Sequence, residues 1–204
     1  MTARPTMNVL LTGVGGQGVV LASTVLAQVA MAEGYDVKQS EVHGMAQRGG
    51  SVTSHFRFGD KVWSPLVPEG TADLLMAFEA LEGLRYVSWL KPGGVLVYNA
   101  LRINPSPVSA GLATYPEDID SLIKAAWPNT KCVSANELAA KAGTVKAANV
   151  AMLGAISPTL PFAPETWEAV IRKAVPPKTV DLNLQAFRLG AESASSPADD
   201  CKTR

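Results

Sequence analysis

A β-prone run, Asn8-Val-Leu-Leu-Thr12, stops at Gly13, and Gly13-Val-Gly-Gly-Gln-Gly18 then leads into a long helix-prone stretch. Glycines at 13, 15 and 18 meet the GxGxxG spacing where that spacing carries meaning, at the handover from a strand to a helix. Residues without a Cβ allow a tight turn there, let backbone NH groups approach an anion, and bring helix and strand together, while the helix N-terminus adds partial positive charge. The helix is expected from Gln17 to about Glu33, with Gly34 as its stop, and Tyr35 to Ser40 reads as a second strand. Strand, helix, strand in that order predicts a parallel sheet with a right-handed crossover.

Further along, Glu41 to Gly50 has no clean apolar period and reads as a structured functional loop. Ser51 to Phe58 alternates as a strand does, and Gly59-Asp60 predicts a hairpin turn into Lys61-Val-Trp-Ser64. Asp73 to Phe78 suits a fully buried strand, Glu79 to Leu90 a helix, and Pro92-Gly93-Gly94 a turn into the strand Val95 to Asn99. The remainder reads as a helix over 116–126, a short strand at Cys132-Val133, and helices over 135–142, 149–160 and 164–174. From residue 191 to 204 the chain turns to Ser, Ala, Asp and Pro without a periodic face, so a disordered tail is expected. The class is α/β: a single Rossmann-like domain over residues 1–190, with a mostly parallel sheet, an antiparallel hairpin and a helical C-terminal part.

Charge narrows the functions. Lys plus Arg and Asp plus Glu both number 18 in 204 residues, so no net positive field gathers nucleic acid or anionic lipid, and neither is expected as a partner. The apolar stretch Val19 to Ala32 is broken by Ser23, Thr24 and Gln28 and is too short to cross a bilayer. Met1 to Met7 is unlike a secretory signal, which makes the cytoplasm the expected compartment. The two cysteines, Cys132 and Cys201, are too few and too far apart to ligate an iron-sulfur cluster or zinc, and so low a count suits a reducing compartment without a disulfide framework. No metal site is expected, and any redox metal belongs to a partner.

Gly13, Gly15, Gly16, Gln17 and Gly18 form the first candidate binding group, able to receive a pyrophosphate or carboxylate. Arg48, Gly49, Gly50 and Ser51 form the second, a fixed cation beside glycines that expose backbone NH groups. The alternative is that these glycines serve only close packing, against another strand, another chain or a neighbouring loop, with no bound nucleotide. A standard NAD site wants an acidic residue at the end of the second strand, about 20 residues beyond the glycines, and here Lys38, Gln39 and Ser40 put Glu41 late. That argues against a self-contained dehydrogenase. His43 is the single weak candidate for catalysis, and His55 reads as structural, since neither has metal-like spacing. No GxSxG elbow, HExxH helix or Walker lysine occurs, and Gly59-Asp60-Lys61 lacks the rest of a thiamine-diphosphate motif. Trp63, Trp89, Trp127 and Trp167 are scattered like core and rim residues.

Taken together, Asn8 to Gly18 and Gln39-Ser-Glu-Val-His-Gly-Met-Ala-Gln-Arg-Gly-Gly-Ser51 resemble the gamma domain of the 2-oxoacid:ferredoxin oxidoreductases. The Val-His-Gly-Met-Ala-Gln stretch, residues 42–47, is similar to the beta subunits of the indolepyruvate branch, and the likeness runs from residue 8 to about 190. The resemblance implies oxidative decarboxylation of a 2-oxoacid, an aryl pyruvate in this branch, with coenzyme A, giving an acyl-CoA, carbon dioxide and reduced ferredoxin. It implies that thiamine diphosphate, Mg and iron-sulfur clusters sit in a larger alpha subunit, and that this chain is a Rossmann-like accessory subunit, inactive alone. The resemblance places the domain beside the thiamine site, and two glycine-rich, anion-capable loops in one chain add the expectation that Gly13 to Gly18 and Arg48 to Ser51 face the partner's cleft, shape it and hold coenzyme A phosphates. Two other readings stand beside it: a free-standing dinucleotide-binding oxidoreductase and a non-catalytic scaffold.

Overall fold

A computed structural model describes residues 4–43, 50–194 and 202–203. The β-prone start becomes β1, Met7–Val14, and the glycine turn leads into α1, Val19–Ala32. The next strands are β2, Asp36–His43, and β3, Ser51–Gly59. After them come β4, Ala72–Ala77, α2, Ala80–Arg85, and β5, Leu90–Asn99. A short α3, Ser106–Ser109, precedes α4, Ile119–Ala126, and β6, Thr130–Val133. The chain then becomes helical: α5, Ala135–Lys141; α6, Ala148–Ile156; α7, Pro164–Ala174; and α8, Val180–Ser193.

Six strands form one sheet in the order β2-β3-β1-β4-β5-β6. β1, β4, β5 and β6 are parallel neighbours, whereas β3 runs antiparallel to both β1 and β2. β2 therefore points the same way as β1, as a βαβ unit requires, but β3 lies between them. The antiparallel element is thus β2 with β3, and the expected hairpin from Gly59 into Lys61–Ser64 does not form. Both edges of β3 are already filled by β1 and β2, so a chain returning from Gly59 has no ladder to join. Residues 61–67 instead cross the sheet as a strap with Val62 and Val67 buried. Arg57 Nη1 donates to the Ser64 carbonyl at 2.9 Å, the Val62 NH donates to Asp36 Oδ2 at 2.9 Å, and the Val67 NH donates to His55 Nδ1 at 3.2 Å.

Strand alternation divides the core into two layers. Val9 and Leu11 of β1 face α1, α6, α7 and α8, while Leu10 faces α2 and α4. α6 is buried from Asn149 to Ile156 and crosses α8 where Gly154 meets the Phe187 carbonyl and Gly190 meets the Ala151 carbonyl, too close for a Cβ on either glycine. The composition of 180–193 announced no such helix, and its last residues, 191–193, fall where a tail was expected. At the far end, the Thr203 hydroxyl and NH both donate to Asp120, at 2.6 and 2.9 Å. Cys132 is disulfide-bonded, so the low cysteine count gives no support to a reducing compartment, and Cys201 lies outside the described residues. Trp167 is 1% exposed, but Trp63 stands on the strap at 86%, well beyond a rim position. Among the described residues no helix is long and apolar enough to cross a membrane.

Candidate functional site

The carboxyl ends of β1 and β4 lie side by side, and the glycine turn spans the gap above them. Gln17 NH donates to the Val14 carbonyl at 3.1 Å, closing a four-residue turn in which Gly16 has φ 101°, the sign a type II turn demands at that place. Gly18, at φ 79°, starts α1, and the Asn149 amide lies 2.6 Å from where its Cβ would be. Gly13 has no positive φ; a Cβ there would meet Val19 and Gln17 at 2.9 Å and Phe78 at 3.0 Å. Glycines of this segment therefore meet three different demands, close packing at Gly13, a turn at Gly16 and a helix start at Gly18, of which the turn falls outside the GxGxxG spacing.

Gln17 does not point outward as a ligand. Its Oε1 accepts from the Val14 NH at 2.6 Å and its Nε2 donates to the Phe78 carbonyl at 2.7 Å, which ties the end of β1 to the end of β4. Gly15 NH donates to the Gly50 carbonyl at 2.9 Å, so the first glycine group touches the second directly. Three loop NH groups, those of Val14, Gly15 and Gln17, are thereby used internally. Those of Gly16, Gly18, Val19, Val20 and Leu21 have no protein partner among the described residues, and the helix ladder begins with the Ala22 NH on the Gly18 carbonyl at 3.0 Å.

Beside the turn opens a cleft of about 220 Å³, lined by Gly16, Gln17, Phe78, Asn99, Asn136, Lys146 and Asn149. Asn99 closes β5. Its Nδ2 donates to the Phe78 carbonyl at 3.2 Å and to Asn136 Oδ1 at 2.9 Å, and its Oδ1 accepts from the Ala135 NH at 3.0 Å. Lys146 brings a cation to the same cleft. Motif reading missed Asn99, Asn136, Lys146 and Asn149, although the rule that ligands bind beyond the carboxyl ends of parallel strands points to the residue closing each strand, as Asn99 does.

Of the second group, Gly50 and Ser51 stand at the start of β3 against the glycine turn, while Arg48 and Gly49 lie outside the described residues. Ser51 donates its hydroxyl to the buried Glu82 carboxylate at 2.5 Å. His43 closes β2 opposite Val52, and its side chain lies outside what is described. His55 is buried under the strap, 5.3 Å from the Trp89 ring; desolvation lowers its pKa and keeps it neutral, an acceptor for Val67. Burial and the neighbouring carboxylates Asp120 and Glu79 push the hydroxyls of Tyr98 and Tyr115 well above the usual phenol range, so both stay protonated donors.

A mostly parallel six-stranded sheet with a glycine turn and a cleft where its strand order reverses defines a Rossmann-like α/β domain. Residues 8–193 match the family described as pyruvate ferredoxin/flavodoxin oxidoreductase, and the chain belongs to that family. It is 46% identical over 193 residues to the indolepyruvate oxidoreductase subunit IorB of Pyrococcus horikoshii, covering 92% of this chain and 95% of that one. IorB of Thermococcus kodakarensis is 44% identical over 192 residues, again covering 92% and 95%. Its relatives are thus subunits of oxidoreductases, and so is this chain. Among solved structures, the gamma subunit of a keto/oxoacid ferredoxin oxidoreductase from Geobacter sulfurreducens matches with a TM-score of 0.68 at 27% identity, over 92% of this chain and 98% of that one. The 2-oxoglutarate:ferredoxin oxidoreductase from Magnetococcus marinus, solved with 2-oxoglutarate, coenzyme A and succinyl-CoA bound, shares the fold at 19% identity and a TM-score of 0.69. This chain spans 33% of its length.

Proposed function

We propose that the chain is the beta, gamma-type subunit of an indolepyruvate or closely related 2-oxoacid:ferredoxin oxidoreductase, and that its glycine-lined edge closes the cleft where coenzyme A meets the partner's reaction centre. The observation that carries this is the contact of Gly15 with Gly50, which joins the second glycine group to the turn whose Gly16 and Gln17 line a cleft together with Lys146. The NH groups of Gly16, Gly18, Val19, Val20 and Leu21, without a partner among the described residues, fit an anion such as a phosphate of coenzyme A. Thiamine diphosphate with Mg and the iron-sulfur clusters belong to the larger alpha subunit, where they supply decarboxylation and electron transfer to ferredoxin. This chain's residues bind and orient: Gln17 and Asn99 hold the strand ends in place, and Lys146 and Arg48 supply the cations that an anionic ligand needs.

The test is steady-state kinetics on the purified two-subunit complex. Arg48→Ala and Lys146→Met are each expected to raise the KM for coenzyme A about tenfold, the cost of one lost charge-assisted contact, while the subunits still co-purify. Unchanged constants in both would remove the ligand role. The internal use of three loop NH groups favours a second reading, a scaffold whose glycine edge packs wholly on its partner. Titration of the isolated chain with coenzyme A, flavin and NAD separates these readings: absence of any binding favours the scaffold, and saturable NAD binding with hydride transfer would replace both by a free-standing oxidoreductase.

A further inference from the structure

Two buried carboxylates stand at the start of α2, Glu79 and Glu82. Glu79 serves its surroundings. Its Oε2 accepts from the Glu82 NH at 2.9 Å as the helix cap, and its Oε1 accepts from the Ile103 NH at 3.1 Å and the Tyr115 hydroxyl at 2.7 Å. Glu82 reaches a different strand. Its Oε2 accepts from the Ser51 hydroxyl at 2.5 Å, its Oε1 accepts from Arg85 Nη1 at 2.7 Å, and the Tyr86 hydroxyl is 3.5 Å from Ser51 Oγ. A carboxylate taken from water must be repaid by donors, and bonds to a charged acceptor are short and about twice as strong as neutral ones. Ser51 pairs with Val14 in the sheet and follows Gly50, whose carbonyl receives the Gly15 NH. A continuous set of contacts thus runs from Arg85 through Glu82 and Ser51 to the glycine turn.

We propose that Glu82 is a positioning residue: by holding Ser51 it fixes the Gly50 carbonyl against Gly15 and so sets the placement of the glycine turn, whose Gly16 and Gln17 line the cleft. Ser51 then acts as a tie between α2 and β3, because its one hydroxyl proton is directed at Glu82 and away from any ligand. The kinetic consequence rests on the proposed role of the cleft in coenzyme A use, whereas the structural tie does not.

Glu82→Gln, Ser51→Ala, Ser51→Thr and the double variant Glu82→Gln/Ser51→Ala test it in the purified two-subunit complex. Each of Glu82→Gln and Ser51→Ala is expected to raise the KM for coenzyme A about tenfold with kcat within about twofold, and the double variant to add nothing further. Ser51→Thr, which keeps the hydroxyl, is expected to behave as the parent. Amide hydrogen exchange at Gly15 is expected to accelerate in Glu82→Gln and Ser51→Ala alike. Parental exchange at Gly15 in both would overturn the proposal, as would additive effects in the double variant. Faster exchange with no change in KM in these variants or in Arg48→Ala would support the tie and dispose of the coenzyme A role instead. Should Glu82→Gln fail to fold, Ser51→Ala alone decides, since removal of one hydroxyl leaves the backbone pairing of β3 in place.

Discussion

The glycine turn at residues 13–18 and the crossing of α6 with α8 both depend on missing Cβ atoms, for opposite reasons. In the turn, Gly16 faces open space and is needed for its positive φ alone, and Gly18 combines a positive φ with the nearby Asn149. At the crossing, Gly154 and Gly190 have ordinary helical backbones, and each abuts a carbonyl of the opposite helix. The turn's glycines shape a surface that a ligand or partner can reach. Those at the crossing let two helices of one chain touch. A glycine requirement therefore says that something comes close, but its context decides whether the neighbour is a foreign group or the protein's own backbone.

Substitutions at the two places should separate these roles. The largest effect is expected from Gly154→Ala or Gly190→Ala, where the added methyl must push a backbone aside. About 3 kcal/mol of unfolding free energy should be lost in urea titrations, with the KM for coenzyme A unchanged in the folded complex. Gly18→Ala should cost less, ~2 kcal/mol, from left-handed strain and displacement of Asn149, and should also impair coenzyme A use. Gly16→Ala meets only the strain of its φ and should cost ~1 kcal/mol. If Gly16→Ala proves as damaging as Gly154→Ala, the contrast fails. The smallest effect concerns His55, away from both places. Its pKa is lowered in the fold by burial, so the unfolded chain binds the proton first as pH falls. Stability from this group is complete above the ordinary imidazole pKa, near 6.5, and declines as pH drops from there through the lowered folded value. His55→Gln should flatten the slope of stability against pH in that window.

Much of the fold could be read from residues. The strand-turn-helix at β1 and α1, the buried β4 and the strand over 95–99 follow from local pattern, but β5 begins at Leu90 and takes in Pro92-Gly93-Gly94, where a turn is expected, and the helix expected over 79–90 ends at Arg85. The insertion of β3 between β2 and β1 could not, because local alternation identifies a strand and not its neighbours. The same limit produced the expected hairpin at Lys61–Ser64, whose residues alternate well enough but find no free edge. α8 was hidden because Gly190 weakens a helical reading, and its reason for being there, the crossing with α6, lies 36 residues away in the sequence. At the site, Gly16 and Gln17 of the glycine segment line the cleft, while the Gln17 amide also holds the loop to Phe78, a contact that no spacing reveals. Asn99, Asn136 and Lys146 come together from three separate segments, which only the tertiary fold assembles.

As one wall of a reaction centre whose cofactors lie in a larger subunit, the role proposed above, this chain is expected to be inactive alone. The direct measurement is coenzyme A-dependent reduction of ferredoxin by indolepyruvate, assayed with the purified chain, with the purified large subunit, and with both. No turnover is expected from this chain, and full activity with coenzyme A saturation is expected only when the two are combined. Turnover by the isolated chain would contradict that role.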